Sequence, residues 1–189
     1  LDVDTRPDTT RSRALSRFEW GVLLAFAAMV YFQMFVTPNI GLANNGDYAK
    51  MLGRFWLGPM AWHNEDELLF YEQRWRYHPV YHWDSENYSS ELIWIGAAVG
   101  ISRLFSHEIF DLRVLGAIHA LLWAGCFVAA LPLFRRLRGW PRYGIPLLAL
   151  WIFTDVSYIA YMNSLYTDTS AFIFLCWSVV IALRMASKA

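Results

Sequence analysis

The chain of 189 residues contains only two cysteines, Cys126 and Cys176, and both fall inside apolar runs, so it carries no disulfide framework. It has no glycine loop of the kind that cradles a nucleotide phosphate, no nucleophile elbow and no long linker. A nucleotide-sugar donor is therefore disfavoured. Net charge is missing as well: 16 basic side chains balance 16 acidic ones, and no bulk field draws the chain to nucleic acid.

What the chain has in quantity is apolar surface. Hydrophobic residues make up 57% of it and aromatics 17%, gathered in blocks separated by charged connections. That layout predicts an all-α, polytopic transmembrane helix bundle. The first block, Trp20 to Val36, has about seventeen residues and covers roughly 26 Å at 1.5 Å per residue, enough for a short crossing. The others run from Leu112 to Phe134, Tyr143 to Ile159 and Ala171 to Leu183. Arg11, Arg13 and Arg17 precede the first block; Arg135, Arg136, Arg138 and Arg142 form a Gly- and Pro-containing hairpin between the second and third; Arg184 and Lys188 follow the fourth. The positive-inside rule puts all three basic clusters in the cytoplasm, with residues 1–17 as a polar tail. Gly41-Leu42-Ala43 offers a signal-peptidase-like alternative, but the later spans make membrane residence independent of it.

This topology leaves residues 38–111 as a long extracytoplasmic loop. Within it, residues 92–105 are apolar yet cover only about 21 Å. A crossing there would put the Arg135 hairpin outside, so the charge pattern favours a helix in the outer interface, with Trp94 as an anchor and Arg103 at the headgroups. Tyr48, Met51, Leu52, Phe55 and Trp56 recur at three- and four-residue spacing and predict a short amphipathic helix on the membrane surface. The expected fold is thus a bundle with an outer loop carrying juxtamembrane amphipathic helices.

Two junctions place carboxylates beside membrane-length apolar stretches. Asn44-Asn45-Gly46-Asp47-Tyr48-Ala49-Lys50-Met51 follows the first span, and Tyr161-Met162-Asn163-Ser164-Leu165-Tyr166-Thr167-Asp168-Thr169-Ser170 enters the last. Asp47 in a first helical turn would be held ionised by the helix dipole, and Asp168 likewise, with Asn163 or Ser164 as the N-cap of a helix starting near Leu165. A carboxylate near bilayer depth is expensive and marks a functional site by default, although both acids are also what plain helix capping and a water boundary require. Asp155, deeper in the third block, is a weaker candidate that Ser157 or Thr154 could satisfy. His78 and His82, with Asp84 and Glu86 behind them, complete no zinc ligand set. The aromatic run from Trp75 to Tyr88 reads as a sugar-stacking or interfacial surface.

The pair of junctions, with Phe105-Ser106-His107-Glu108 after a short apolar helix and a span closing on Leu133-Phe134-Arg135-Arg136-Leu137-Arg138-Gly139, resembles bacterial polyprenyl-phosphate-dependent glycosyltransferases of the GT-C superfamily. The resemblance covers roughly Arg17 to the end of the chain, and implies a single N-terminal transmembrane module, residues 1–189, of a longer enzyme in the bacterial inner membrane. It implies hexosyl or pentosyl transfer, with inversion, from a polyprenyl-phosphate-linked donor to a glycan, lipid or protein acceptor on the outer face, and makes Asp47 the general base. Asp168 would then orient the acceptor or share a Mg²⁺ or Mn²⁺ ion with Asp47, since hard oxygen ligands suit those ions. Lys50, Arg74 and Arg76 are candidates for the phosphate; Asn45, Tyr48, His78, Asn163 and Tyr166 for other substrate contacts. Two readings compete: a transporter or channel segment with Asp47, Asp155 and Asp168 along a polar pathway, and a non-catalytic subunit that holds a lipid-linked sugar. The crowding of acids in the outer loop favours the enzyme.

Overall fold

A computed structural model describes residues 14–36, 40–42, 47–60, 73–78 and 88–187, with the backbone alone at 47, 49 and 50. Three helices in it are long and apolar enough to cross a membrane: α1 (Arg17–Phe35), α4 (Arg113–Phe134) and α7 (Asp168–Ala186). A fourth crossing is available from α5 (Pro141–Phe153) and α6 (Val156–Met162) taken together, bent by 62° between them. The shorter helices are α2 (Asp47–Leu52) and α3 (Glu91–Arg103). Leu24, Phe32, Leu121, Trp151, Leu175 and Met185 point outward and exposed, an apolar exterior that water would penalise and lipid tails accept. The chain is an integral membrane helical bundle.

Local chemistry explains where the crossing helices begin and break. Ser16 caps α1 by accepting from the Glu19 amide while the Glu19 carboxylate accepts from the Ser16 amide, a reciprocal capping box. Glu19 also takes two hydrogen bonds from the Arg135 guanidinium, at 2.6 and 2.5 Å, tying the start of α1 to the end of α4. Arg136 donates to the Ser187 carbonyl just past α7, so the N-terminal side of α1, the basic hairpin and the end of α7 share one end of the bundle. The third apolar block is not the continuous span its hydropathy suggests. Asp155 adopts an extended conformation and accepts from the Ser157 amide, which starts α6 afresh, so this acid sits exposed at a break rather than deep inside a helix. The Thr154 carbonyl at the break is satisfied by the Gln33 side chain of α1 at 3.0 Å.

α4 is the hub, packed against α1, α3, α5, α6 and α7. At the other end a three-stranded antiparallel sheet caps the bundle, an element the all-α expectation did not include. Its strands are β1 (Leu57–Pro59), β2 (Arg74–Tyr77) and β3 (Ile109–Asp111), with β2 central and Leu57 opposite Tyr77 and Arg74 opposite Asp111. Along β2 the side chains alternate: Trp75 is buried while Arg74 and Arg76 face outward. Trp75 and Phe110 join Tyr48, Met51, Leu52, Leu57, Ile95, Leu112, Leu115 and Leu165 in one core cluster beneath the sheet. The apolar face of α2 is therefore spent on protein packing, not on the lipid surface expected for it. Trp94 likewise turns toward Phe174 of α7, ring centroids 6.0 Å apart, and Arg103 lies over the Tyr77 ring at 4.8 Å. Thirteen residues long, α3 is not among the helices able to cross; its first residue touches α4 and α7, and Val99, further along it, accepts from the Tyr77 hydroxyl of the sheet.

Candidate functional site

The two acidic junctions meet at the sheet-capped end. Tyr48, in the first turn of α2, is fully buried, donates its hydroxyl to the Leu42 carbonyl at 2.8 Å, and packs edge-on against Tyr166 with centroids 6.1 Å apart. Tyr166 in turn meets Tyr161 at 5.8 Å, and Leu165 enters the same core cluster as Tyr48. Asn163 donates its side-chain amide to the Ile40 carbonyl at 2.8 Å, binding the second junction to the chain just beyond α1. This close approach needs a glycine at 116: a Cβ there would stand 2.8 Å from Asn163 Oδ1 and 2.5 Å from Met34 Cε.

Asn163 is not the cap of the last helix. It is buried at the C-terminal end of α6, and α7 begins at Asp168 after Thr167, with no side-chain cap. Asp168 is exposed, in the first turn of α7, and borders a cavity of about 200 Å³ walled by Trp123, Tyr158, Tyr161 and Phe172. Tyr158 stacks on Phe172 at 5.4 Å and Trp123 on Phe172 at 4.9 Å, so the pocket beneath the carboxylate is aromatic. A second, apolar cavity of about 350 Å³ runs between α4, α5 and α7 and shares Trp123 with the first.

Asp47 opens α2, one residue before Tyr48, and Lys50 lies one turn on; the side chains of both lie outside the described residues, as do Asn45 and His82. Arg74 lines a separate groove with Ser102, Ser106, Asp111 and Arg113. Val114 and Ala117 of α4 border that groove, whereas Trp123 borders the Asp168 cavity, and at 3.6 residues per turn Val114 and Trp123 lie roughly 180° apart on the helix. Arg74 and Asp168 thus open on different sides of α4. In the groove, burial pushes the Asp111 carboxyl up, but Arg113, through its guanidinium at 2.6 Å and its amide, and Gln73 more than offset this and leave it below its ordinary value. His78 is half-buried and its amide donates to Trp56. Among the described residues no three His, Cys, Asp or Glu side chains gather as a metal site.

Sequence reasoning missed a buried polar network under the second junction. Glu91, His119 and Ser170 are each fully buried. Ser170 donates its hydroxyl to Glu91 Oε2 at 2.5 Å, Glu91 Oε1 faces His119 Nε2 at 3.0 Å, and His119 Nδ1 meets the Met162 carbonyl at 2.7 Å. The contact between carboxylate and imidazole is an ion-pair distance more than an aligned hydrogen bond, and among the described residues neither atom has another hydrogen-bonding partner. The one available signal was a lone histidine in an apolar run.

A lipid-facing helical bundle, capped by a small sheet, with two acid-bearing junctions in contact at one end, defines an integral membrane domain. The chain belongs to the family described as the YfdI N-terminal transmembrane domain, whose model matches residues 11–189. No curated protein and no solved structure matches it.

Proposed function

We propose that this domain forms the acid-bearing part of a GT-C type membrane glycosyltransferase that moves a sugar from a polyprenyl-phosphate-linked donor to an acceptor at the outer face of the bacterial inner membrane. The observation that carries the reading is the contact between the two junctions through Tyr48 and Tyr166, reinforced by Asn163 on Ile40. Sequence motifs more than a hundred residues apart in the chain pack against each other, as a shared active site would require. Asp47 is the base that takes the acceptor hydroxyl proton, a role that contributes about 10²–10⁴-fold where it is present. Asp168, at the rim of an aromatic pocket suited to a sugar face, orients the acceptor or holds a divalent cation with Asp47. Lys50 supplies positive charge at this end for the donor phosphate, whereas Arg74 and Arg76 share the face of β2 whose groove opens on the other side of α4 from Asp168. The apolar cavity that shares Trp123 with the Asp168 pocket gives an isoprenoid chain a path into the bundle. The basic hairpin at the opposite end supports, by the positive-inside rule, an outer position for the junctions.

Acids lining a transport pathway receive less support. Asp155 caps α6 at an exposed break, and Glu19 is neutralised by Arg135. The test is transfer of a radiolabelled sugar from polyprenyl phosphate by membranes containing the full-length protein. Asp47→Asn should lower turnover by about 10²-fold or more while retaining binding of the donor lipid. Unchanged transfer by D47N would remove the proposed base.

A further inference from the structure

A carboxylate and an imidazole inside the bundle need a reason to be there. His119 lies six residues beyond the start of α4, about 9 Å along the helix. Taking a carboxylate and an imidazole out of water is costly unless their geometry and added hydrogen bonds restore the loss, and apolar side chains of the same volume would pack at no such cost. What the pair provides is a fixed length between two points of the chain. Met162, held through its carbonyl by His119, is the last residue of α6; Ser170, held by Glu91, is in the first turn of α7. Residues 163–169, the middle of the second junction, hang between those anchors.

We infer that Glu91 and His119 are positioning residues, a buried strut from α3 and α4 that sets where Tyr166 and Asp168 stand. The inference rests on the proposed site for what the junction does, but not for its geometry. The protons can be assigned from the partners. The Met162 carbonyl only accepts, so His119 Nδ1 carries hydrogen; the Ser170 hydroxyl donates to Glu91 Oε2, and His119 Nε2 faces Glu91 Oε1. Shorter ties then lash the strand inside this frame: Ser164 Oγ and Thr169 Oγ1 both donate to the Tyr161 carbonyl, at 2.7 and 3.0 Å. α3 thereby acquires a role beyond covering the bundle, since it carries one half of the strut from the outer loop to the last helix.

The proton assignment separates positioning from chemistry. A glutamine at 91 keeps both contacts: its carbonyl oxygen accepts from Ser170 and its amide nitrogen takes the place of Oε1 facing His119 Nε2. An alanine keeps none. A group that had to carry charge or release a proton would fail equally with either residue.

The experiment compares wild type, E91Q, E91A and S170A in the full-length protein reconstituted in nanodiscs, by hydrogen exchange of peptides covering 162–170 together with sugar transfer. E91A should speed exchange across residues 163–169 by about tenfold while the middle of α4 stays protected. It should also lower kcat by about a hundredfold, with a much smaller change in KM, the pattern of a misplaced site. E91Q should return both readouts to within about threefold of wild type, and S170A, which cuts one tether only, should fall between. If E91A does not fold, S170A and E91Q decide the question on the same scale. Exchange over 163–169 unaltered in E91A, or in S170A where E91A does not fold, overturns the strut, as does E91Q exchanging as fast as E91A. Transfer lost in E91Q while its junction stays protected overturns the positioning role in favour of a chemical one. Absence of transfer in wild type would count against the glycosyltransferase reading alone, because the exchange results still decide the strut.

Discussion

Replacing Gly116 by alanine tests how closely the two junctions are packed. The new methyl carbon would stand 2.5 Å from Met34 Cε and 2.8 Å from Asn163 Oδ1. The methionine end is flexible and can swing away. Asn163 cannot follow, because its amide nitrogen is committed to the Ile40 carbonyl and its backbone ends α6. Overpacking of this kind costs about 1–3 kcal/mol, and a forced break of the hydrogen bond from the Asn163 side-chain amide to the Ile40 carbonyl adds about 1–3 kcal/mol. The better helix propensity of alanine returns about 1 kcal/mol, leaving a net loss of about 1–5 kcal/mol. At about 2–4 °C per kcal/mol for a chain of this size, the unfolding midpoint should drop by several degrees. Gly21→Ala is the internal control, since nothing lies within 4 Å of its added carbon, and it should be neutral or slightly stabilising. Thermal unfolding in detergent, followed by tryptophan fluorescence, supplies the readout. In an Asn163→Ala background G116A should cost at least about 1 kcal/mol less than in wild type, because the obstruction is gone. A G116A protein as stable as G21A, or one whose loss is unaffected by removing Asn163, would refute this packing.

Two further predictions concern charge. Glu19→Gln should destabilise the bundle by about 1.5–3 kcal/mol, measured by the same unfolding assay, because it weakens two hydrogen bonds from Arg135 that join α1 to α4. Asp111 has a carboxyl held below its ordinary value, 3.8, in the folded protein, so its contribution to stability is present above about pH 4 and is lost as pH falls through the lower folded value. Asp111→Asn should therefore flatten the acid limb of the stability profile relative to wild type, with no change in slope near neutrality.

Hydropathy located the crossing helices because lipid exposure acts on every residue of a span. The blocks at 20–36, 112–134 and 171–183 correspond to α1, α4 and α7 to within a few residues. It overran the break between α5 and α6, since Thr154-Asp155 is too short an interruption to lower a window average, and only the cap on Ser157 reveals it. The sheet was not legible: its strands have three or four residues, and Trp75 becomes a core residue only through pairing with Phe110 and packing on Tyr48. The two junctions were legible as local motifs of polar residues against apolar runs. Their contact was not, because Tyr48 to Tyr166 is a tertiary packing event with no local signature. The same limit hid Glu91, His119 and Ser170, each unremarkable within its own segment.

The most direct test of the central claim, that Asp47 and Asp168 share one cleft, is a cross-link between them. Cysteines at 47 and 168, in a full-length protein with Cys126 and Cys176 changed to alanine, are treated in intact membranes with bifunctional maleimides of graded length added from outside. A shared two-acid site predicts efficient intramolecular bridging by reagents spanning about 10 Å. Labelling of both cysteines without any bridge at that length, or accessibility from opposite sides of the membrane, would contradict it.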